Sequence, residues 1–437
     1  MAQREFLKSL LVREVVPATG CTEVGAVALA SGCAMQAVAE PVEKIEAVVL
    51  EVDERTYKNA LGVGIPGTGE VGLEFAAAMG VTSSRRVDRG LQILENPERE
   101  SIEKARELIA GKKIHLIKKP YAKEILVLAK VRSHANEAGA VIRGSHDHVV
   151  SVERNGKPCH AISFQAEEAE KVYERVKGVD YQAIIEFVKT MNVSEYPTVR
   201  EAMKMNMRFS EKAMEGLPAL GMGKVMERHG ESGTGKGLPS RIQHITAVAV
   251  EARMRGLDLP VMACAGSGNQ GLVATIPVVE TARVVQASPE QLLKALSLSY
   301  LTTIYIKAYT GLLSPVCGCG LAAAVGAGCG IVFLLGGDVE QIEAQINNMV
   351  GTMAGIICDG AKSGCSLKAL MAVGLAVDSA YLSLEKVRIP AKEGIVGVGV
   401  SETLRNLQRL VEAGMPTMDS VLVELIEAKE PGDPERR

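Results

Sequence analysis

Residues 311–366 read GLLSPVCGCGLAAAVGAGCGIVFLLGGDVEQIEAQINNMVGTMAGIICDGAKSGCS and hold five of the nine cysteines of the chain. Four of the five stand in two short motifs, Cys-Gly-Cys at 317–319 and Cys-Asp-Gly-Ala-Lys-Ser-Gly-Cys at 358–365. Glycines beside these cysteines let the backbone approach a bulky inorganic centre, so we expect both motifs to lie on turns. Thiolates concentrated in this way suit soft metals, and the pattern predicts zinc or an iron–sulfur cluster.

Three other interpretations of this stretch stay open. Any one of the cysteines could simply fill space between close-packed helices. The thiols could pair as disulfides, although nothing marks the chain as secreted. The uncharged run 308–337 is long enough to span a bilayer, but Pro315 and eight glycines interrupt it and the chain has no Trp. A buried, glycine-rich helical hairpin therefore fits this run better than a membrane span.

The composition of the chain limits its fold and its partners. Its 437 residues leave room for two or three domains. Hydrophobic residues make up 47% and aromatic residues only 3%, which favours tightly packed helices over a base-stacking nucleic-acid surface. The net charge of -3 gives no attraction for polyanions. Residues 3–15 predict an amphipathic helix that ends at Pro17, not a signal peptide. We expect a cytoplasmic protein that binds neither nucleic acid nor membrane.

The hydrophobic periodicity predicts an α+β fold. An N-terminal α/β domain would cover residues 1–165, and a larger, all-helical, glycine-rich domain would cover 166–437. The alternation at 42–52 predicts the first strand of the sheet. Further strand-like runs occupy 113–117, 125–131, 139–143 and 148–154. Asn155-Gly156 predicts a hairpin turn just after the last of them.

The motif Thr-Gly-Cys-Thr-Glu at 19–23 precedes a small-residue helix predicted over 24–38. Thr22 is the expected N-cap, and Glu23 suits the first turn. Cys21 would then lie at the positive end of the helix dipole, where its thiol pKa should fall and an anion could bind. An ordinary buried cysteine before a helix is the alternative.

Two glycine-rich loops could present backbone amides to a small ligand. They are Gly-Ile-Pro-Gly-Thr-Gly-Glu at 64–70 and Met-Ala-Cys-Ala-Gly-Ser-Gly-Asn-Gln-Gly at 262–271. Such amides can bind a carboxylate, and tightly packed turns are the alternative. A third run, 230–237, resembles a P-loop, but a glycine follows its lysine where a hydroxyl residue is needed. We therefore exclude nucleotide binding at that run.

His146 and His148 flank Asp147 at the start of the last strand-like run. Residues two apart on a strand share a face, so a metal pair is conceivable. Because the sequence offers no evident third ligand, we interpret both as polar surface histidines.

The motifs occur in an order that resembles the L-cysteine desulfidase family. That family is related to the iron–sulfur L-serine dehydratases, and its chains look like the β and α parts of those enzymes fused in one polypeptide. The motifs are Thr-Gly-Cys-Thr-Glu, Gly-Ile-Pro-Gly-Thr-Gly, Gly-Ser-Gly-Asn-Gln-Gly, Cys-Gly-Cys-Gly and Cys-Asp-Gly-Ala-Lys-Ser-Gly-Cys. The resemblance covers nearly the full length of the chain.

The resemblance implies a [4Fe–4S] cluster with one open iron. Its ligands would be Cys319, Cys358 and Cys365, with Cys317 as the alternative first ligand. Cys21 matches the cysteine proposed in this family as the catalytic base. Related dehydratases can place a C-terminal cysteine on the fourth iron, but this chain ends without one, so we do not expect the tail to plug the site. Three cysteines in other surroundings would not join the cluster: Cys33, Cys159 and Cys329.

The implied reaction is β-elimination from L-cysteine to hydrogen sulfide, ammonia and pyruvate, without pyridoxal phosphate. An open iron is a Lewis acid that could hold the leaving group, and a thiolate leaving group is soft enough to suit it. We expect the substrate-binding groups to be Thr22, Asn59, Thr68, Ser267 and Asn269.

Two alternatives to this function stay open. One is L-serine dehydration by the same mechanism. The other is a non-catalytic structural or redox protein with zinc in a four-thiolate site. The expected partner is a small amino acid, and the sequence leaves a homo-oligomer open.

Overall fold

The computed structural model describes residues 2–119, 124–159, 169–216 and 237–429, with Val225 alone between the last two ranges. These residues form a mixed α/β N-terminal part and a larger, mostly helical C-terminal part, which confirms the predicted fold class. The predicted domain boundary at residue 165 and nearly all of the P-loop-like run lie outside the described residues.

The N-terminal part alternates helices with strands. Its elements are α1 (Ala2–Glu14), β1 (Val15–Thr19), α2 (Thr22–Val38), β2 (Ile45–Asp53), α3 (Glu54–Ala60), α4 (Leu73–Thr82), α5 (Arg99–Ala110), β3 (Ile114–Lys119), β4 (Leu126–Ser133), β5 (Glu137–Arg143), β6 (Val149–Arg154) and β7 (Lys157–Pro158). Strands β2 to β7 form one sheet in the order β3-β2-β4-β5-β6-β7, with β2 and β3 parallel and the other pairs antiparallel. All five predicted strands are present. Asn155 and Gly156 form the predicted hairpin turn, with φ angles of 50° and 73°.

The C-terminal part is built from helices and one short strand. Its elements are α6 (Ala169–Lys177), α7 (Tyr181–Thr190), α8 (Pro197–Met214), α9 (Leu238–Met254), β8 (Pro260–Cys264), α10 (Gly268–Val284), α11 (Pro289–Thr310), α12 (Ala324–Leu334), α13 (Val339–Met353), α14 (Cys365–Leu384), α15 (Val400–Arg409) and α16 (Met418–Glu427). A π-helical turn, Cys319–Ala323, leads into α12. Buried residues from both parts belong to one continuous core.

Strand β8 corrects the prediction of an all-helical C-terminal part. It pairs antiparallel with β1, and Pro17 lies opposite Met262. At Pro17 we expected only the end of a helix, because five residues are too few to show a strand period of their own. Pro17 has no N–H to donate, which suits a strand in this small two-stranded sheet. The pairing fixes the N-terminal part against the helical part next to Cys21.

Helix α2 positions the N-terminal motif inside the protein. It packs against α4 on one side and against β4, β5 and β6 of the sheet on the other. Its small residues allow this close packing, and nearly all of them are buried. Since the helix lies in the core, Cys21 at its N-terminus is also buried.

The uncharged run 308–337 does not form the predicted helical hairpin. It contains the last residues of α11, an irregular segment at 311–318, and then the π-helical turn with α12. Pro315 and the surrounding glycines break the helical pattern there. Among the described helices, α14 alone has the length and apolar composition to cross a membrane, and half of it is buried. Because α14 packs on α9, α12 and α13, it resembles the core helix of a globular protein.

Candidate active site

Four cysteine thiols lie where the irregular segment before α12 meets the loop before α14. The segments 315–317 and 356–358 form a short antiparallel bridge. Across it, the N–H groups of Cys317 and Cys358 each donate a hydrogen bond of 2.7 Å. The Sγ atoms of Cys317 and Cys319 are 3.4 Å apart. The bridge therefore brings the two cysteine motifs together although about forty residues separate them.

We predicted that the ligand cysteines lie on turns. Of Cys319, Cys358 and Cys365, only Cys358 lies outside a helix. Cys319 is the first residue of the π-helical turn, and Cys365 is the first residue of α14. The thiol of Cys365 donates to the carbonyl of Gly360 over 3.6 Å. First turns of helices leave backbone N–H groups unpaired, and these groups favour a thiolate nearby. Two of the three predicted ligands thus stand at helix starts.

Burial and contacts between neighbouring thiols set the pKa values of the four clustered cysteines. Burial raises the pKa of Cys358 and raises that of Cys365 to about 12, and the charge of Cys317 acts in the same direction on both. The hydrogen bond between Cys317 and Cys319 lowers the pKa of Cys317 and raises that of Cys319. The clustered thiols therefore lie within electrostatic reach of one another.

Lysines that the sequence analysis missed surround the thiols. The Nζ of Lys58 donates to the carbonyl of Cys358 over 2.6 Å. The Nζ of Lys368 donates to the carbonyl of Ile357 over 2.8 Å. Lys307 is only 2% exposed, and its burial lowers its pKa to about 8, although the neighbouring thiols act to raise it. A positive environment of this kind can balance several thiolates.

Cys21, not Thr22, is the N-cap residue of α2. Its thiol donates to the carboxylate of Glu23 over 2.7 Å. Burial, followed by the charge of Glu23, raises the pKa of Cys21 well above its usual value. The expected fall is therefore wrong, because the helix dipole is weaker than burial and an adjacent carboxylate together. The hydroxyl of Thr22 donates to the carbonyl of Gly266 over 2.8 Å.

Asn59, near the end of α3, connects Cys21 to the second cysteine motif. Its Nδ2 donates to Oε1 of Glu23 over 2.9 Å. Its Oδ1 accepts from the thiol of Cys358 over 3.8 Å. One buried amide therefore contacts both the carboxylate partner of Cys21 and a predicted cluster ligand. Cys21 and Cys358 belong to the same site.

Arg253 of α9 is a second link between the two motifs, and no local sequence pattern indicates it. Its Nη2 donates to the carbonyl of Gly20, and its Nη1 donates to Oδ1 of Asn269 over 3.0 Å. Its Nε is buried without a hydrogen-bond partner in the described part of the chain. Burial lowers the pKa of Arg253, while the thiols of Cys21 and Cys319 are among the groups that raise it. This cation thus lies between the N-terminal motif and the clustered thiols.

The glycine loop at 64–70 packs against the turn before Cys21. Gly20 has a φ of 72°, and a Cβ on it would stand 2.6 Å from Cγ of Pro66. A side chain at this position would therefore clash. Thr68 hydrogen-bonds within its own loop, to the carbonyl of Ile65 over 2.9 Å and from the N–H of Glu70 over 3.1 Å. Its hydroxyl is thereby occupied by loop structure.

The second glycine loop lies beside Arg253. Ser267 is the N-cap of α10, and its side chain makes no capping hydrogen bond. Asn269 is bound to Arg253 and donates to the sulfur of Met254 over 3.3 Å. Of the five predicted substrate-binding residues, the structure brings Thr22, Asn59 and Asn269 around Cys21 and Arg253.

The three cysteines predicted to stay outside the cluster lie on other elements. Cys33 is inside α2, and burial raises its pKa to about 12. Cys329 is inside α12, where its thiol donates to the carbonyl of Ile342 over 3.8 Å. Cys159 follows β7 and is half-buried.

No three or more His, Cys, Asp or Glu side chains within the described ranges form a group that could hold a metal ion. An iron–sulfur cluster differs from a single ion because each cysteine binds a different iron, so its ligands stand farther apart. Suitable donors and counter-charges come from three buried thiols, from the partly buried Cys358, and from the surrounding Lys58, Lys307 and Lys368. Metal binding would replace the thiol protons that burial now retains.

Comparison with known proteins places this arrangement in a family. The family model described as serine dehydratase alpha chain matches residues 88–424. The chain belongs to the serine dehydratase alpha chain family. The matched range contains all four clustered cysteines and Arg253, whereas Cys21 and Asn59 precede it.

Several relatives can be aligned with nearly the whole length of this chain. A UPF0597 protein of Clostridium perfringens is 35% identical over 425 residues, 97% of this chain and 98% of the relative. One of Clostridium tetani is 34% identical over 430 residues, 98% and 99% of the two chains. One of Aeromonas hydrophila is 37% identical over 434 residues, 98% and 97%. In these relatives too, one polypeptide covers both the Cys21 region and the alpha-chain region.

Helix α16 holds α3 against the second cysteine motif in this family member. Asp419 is 2% exposed and accepts from Nζ of Lys58 over 2.6 Å and from Nε of Arg55 over 2.7 Å. Since Lys58 also binds the carbonyl of Cys358, the carboxylate supports the backbone of the motif from outside the site.

Asp419→Ala should lower the free energy of unfolding by ~3–5 kcal/mol, because removing one partner leaves a buried charge uncompensated. Denaturant unfolding of the metal-free protein measures this. Glu427→Ala on the same helix is the control, since it removes only the partly exposed pair with Lys118 and should cost under ~1 kcal/mol. Equal unfolding midpoints for the two variants would contradict the supporting role of Asp419.

Proposed function

We propose that this chain is an iron–sulfur-dependent lyase that carries out β-elimination on L-cysteine. The overall reaction takes L-cysteine and water to pyruvate, ammonia and hydrogen sulfide, without pyridoxal phosphate. The observation that supports it best is the amide of Asn59, which contacts both Glu23 beside Cys21 and the thiol of Cys358. The base acts on Cα and the leaving group departs from the adjacent Cβ, so the two sites must be close together, and this contact supports that proximity.

Cys319, Cys358 and Cys365 would hold a [4Fe–4S] cluster, with Cys317 as the alternative to Cys319. When bound, the cluster supplies an electron-pair acceptor for the β-leaving group of the substrate. The lysines around the thiols would balance the negative charge of the bound group. Membership of the serine dehydratase alpha chain family supports a lyase, and the four thiols support the cofactor.

Arg253 and the first turn of α10 would bind the substrate carboxylate. Arg253 is buried with its Nε unpaired, and its guanidinium packs closely on Gly268 at the start of α10, where a Cβ would stand 2.4 Å from Nε. The free N–H groups of a helix start favour an anion. The carboxylate of Glu23 would accept from the substrate ammonium group on the other side.

Cys21 would remove the Cα proton, and its thiol must lose its own proton first. The nearest acceptor is the carboxylate of Glu23 at 2.7 Å. Elimination then gives aminoacrylate, which rearranges and is hydrolysed in water to pyruvate and ammonia. Burial of the site around Cys21 limits water near the base until the substrate has bound.

L-serine dehydration is the second candidate, and the description of the family favours it. The same residues could serve both substrates, because only the leaving group differs. A thiolate suits iron better than hydroxide does, since both partners are soft. This preference is why we place L-cysteine first.

Anaerobic reconstitution followed by paired assays tests the proposal. We expect a brown protein with about four irons and four sulfides per chain, and faster release of pyruvate from L-cysteine than from L-serine, with sulfide formed in equal amount. Pyruvate from L-serine alone would assign the second candidate. A colourless protein with stoichiometric zinc and no lyase activity would instead indicate a structural thiolate site and refute both.

A further inference from the structure

His146 is buried in the described structure and has no hydrogen-bond partner there on either ring nitrogen. It is only 3% exposed, so the prediction of a surface histidine is wrong. The turn between β5 and β6 folds inward and places the ring against Gly266. A Cβ on Gly266 would stand 3.4 Å from Nδ1 of His146. The burial of His146 could not be predicted from the sequence, because a strand period does not show which way the following turn folds.

A buried imidazole without partners needs an explanation. A histidine that serves only packing usually has its ring nitrogens hydrogen-bonded, because each unpaired buried polar group costs about 1–3 kcal/mol. The comparison within the same turn is direct, since Nδ1 of His148 pairs with the carbonyl of Arg143 at 3.0 Å. Both ring nitrogens of His146 are thus unused by the described structure.

Glu23 is the charged neighbour of His146. Burial acts to raise the pKa of Glu23, but the interaction with His146 and the hydrogen bond from Cys21 outweigh it, and the pKa is lowered. Thr22 connects the two sides, since its hydroxyl donates to the carbonyl of Gly266, the residue against the ring. The same hydroxyl also contacts Oε2 of Glu23 at 3.1 Å, so Thr22 bridges the carboxylate beside Cys21 and the residue that lies against the imidazole ring.

We propose that Cys21, Glu23 and His146 form a proton relay in which His146 holds the proton that Cys21 must lose before it can act as a base. This deepens the proposed function and rests on it. Glu23 is the intermediate carrier, and His146 acts on the substrate only through the other two residues. It is therefore a positioning residue in the sense that it sets the charge state of Cys21.

The relay conserves protons and charge. The S–H bond of Cys21 breaks and its proton passes to Oε2 of Glu23, while a proton from the carboxyl group passes to the imidazole ring. The three side chains then carry a thiolate, a carboxylate and an imidazolium, with the same total charge as before. The thiolate next takes the Cα proton and becomes a thiol again, and the electron pair of the C–H bond forms the Cα–Cβ double bond as the leaving group departs with its own pair. The proton on His146 then passes back through Glu23 to the departing group, which restores the neutral imidazole.

The first test uses metal-free protein, so that it does not depend on lyase activity. Iodoacetamide labelling of Cys21 is followed by peptide mass spectrometry in the wild type, in His146→Gln and in the control His148→Gln. Only the thiolate reacts, so we expect labelling of Cys21 to slow by ~10-fold in His146→Gln and to stay unchanged in His148→Gln. If His146 served only packing, its replacement would loosen the site and speed the labelling of Cys21. Equal or faster labelling in His146→Gln overturns the relay.

The second test uses the reconstituted protein with L-cysteine. In His146→Gln we expect kcat to fall by ~10²-fold with KM little changed, as for loss of acid–base assistance. In His146→Gly, added imidazole should restore part of kcat. An unchanged kcat overturns the relay. If the wild type releases no pyruvate but labelling still slows in His146→Gln, the proposed function fails and the relay stands.

Discussion

Replacing Cys358 by alanine is expected to abolish both the brown colour and the lyase activity of the reconstituted protein. Cys358 is the cysteine that the backbone bridge, Lys58 and Asn59 all hold in place. Without this thiol, one more iron of the proposed cluster has no protein ligand, so the cluster should assemble poorly or be lost. Visible absorbance and iron content after anaerobic gel filtration measure the loss.

The matched control is Cys329→Ala. Cys329 is more deeply buried than the clustered thiols and lies inside α12, where its thiol contacts a helix carbonyl. It should therefore keep its iron, with only a packing cost. Equal iron loss in the two variants would mean that the colour reports folding and not ligation.

The same measurement decides between Cys317 and Cys319. Their sulfurs are 3.4 Å apart, so the structure allows either to reach the cluster. We expect Cys319→Ala to lose iron and Cys317→Ala to retain it. A full cluster in Cys319→Ala would assign the ligand to Cys317.

Local sequence signals predicted the long elements of the fold. The strand alternation and the Asn155-Gly156 turn depend on neighbours in the chain, so they could be found without tertiary information. Helix α13 went unpredicted although its signal was present. Asp338 and Gln341 form a capping box at its start. Strands β1 and β8 carry no such local signal, because each is fixed only by pairing with the other.

Composition and motif order identified the clustered cysteines but not the groups around them. Arg253 lies in an ordinary helical segment, and its role depends on contacts with Gly20 and Asn269 far away in the chain. The orientation of His146 likewise depends on the loop after β8. Residues whose function comes from burial and long-range contact cannot be found from spacing alone.

Cys21 shows how a correct position can give a wrong electrostatic prediction. Its place at the start of α2 was predicted, and the helix dipole alone would favour a thiolate by roughly 0.3–1 kcal/mol. Burial in the core and the carboxylate of Glu23 oppose the thiolate more strongly. The resting form is therefore a thiol, and any role as a base requires that its proton be moved when substrate binds.

Cys21→Ala should leave the cluster intact and still bind L-cysteine, yet lower the rate of sulfide release by ~10²–10⁴-fold, as expected for loss of a general base. The thiol of Cys21 contacts Glu23 and not the clustered thiols, so iron content should not change. Cys21→Ser should also be slow, because a hydroxyl is a much weaker base than a thiolate near neutral pH.

Cys33→Ala is the control for this prediction. Cys33 is also buried, but it lies further along α2, away from the N-terminus that carries Cys21. It should keep near-normal turnover. Exchange of the Cα hydrogen of L-cysteine with deuterated water gives a second measurement, because a base that removes this proton also returns it. Loss of both exchange and sulfide release in Cys21→Ala, at unchanged iron content, is the result that the base role requires. Near-normal turnover in Cys21→Ala would refute it and would direct attention to Glu23 as the group that takes the Cα proton directly.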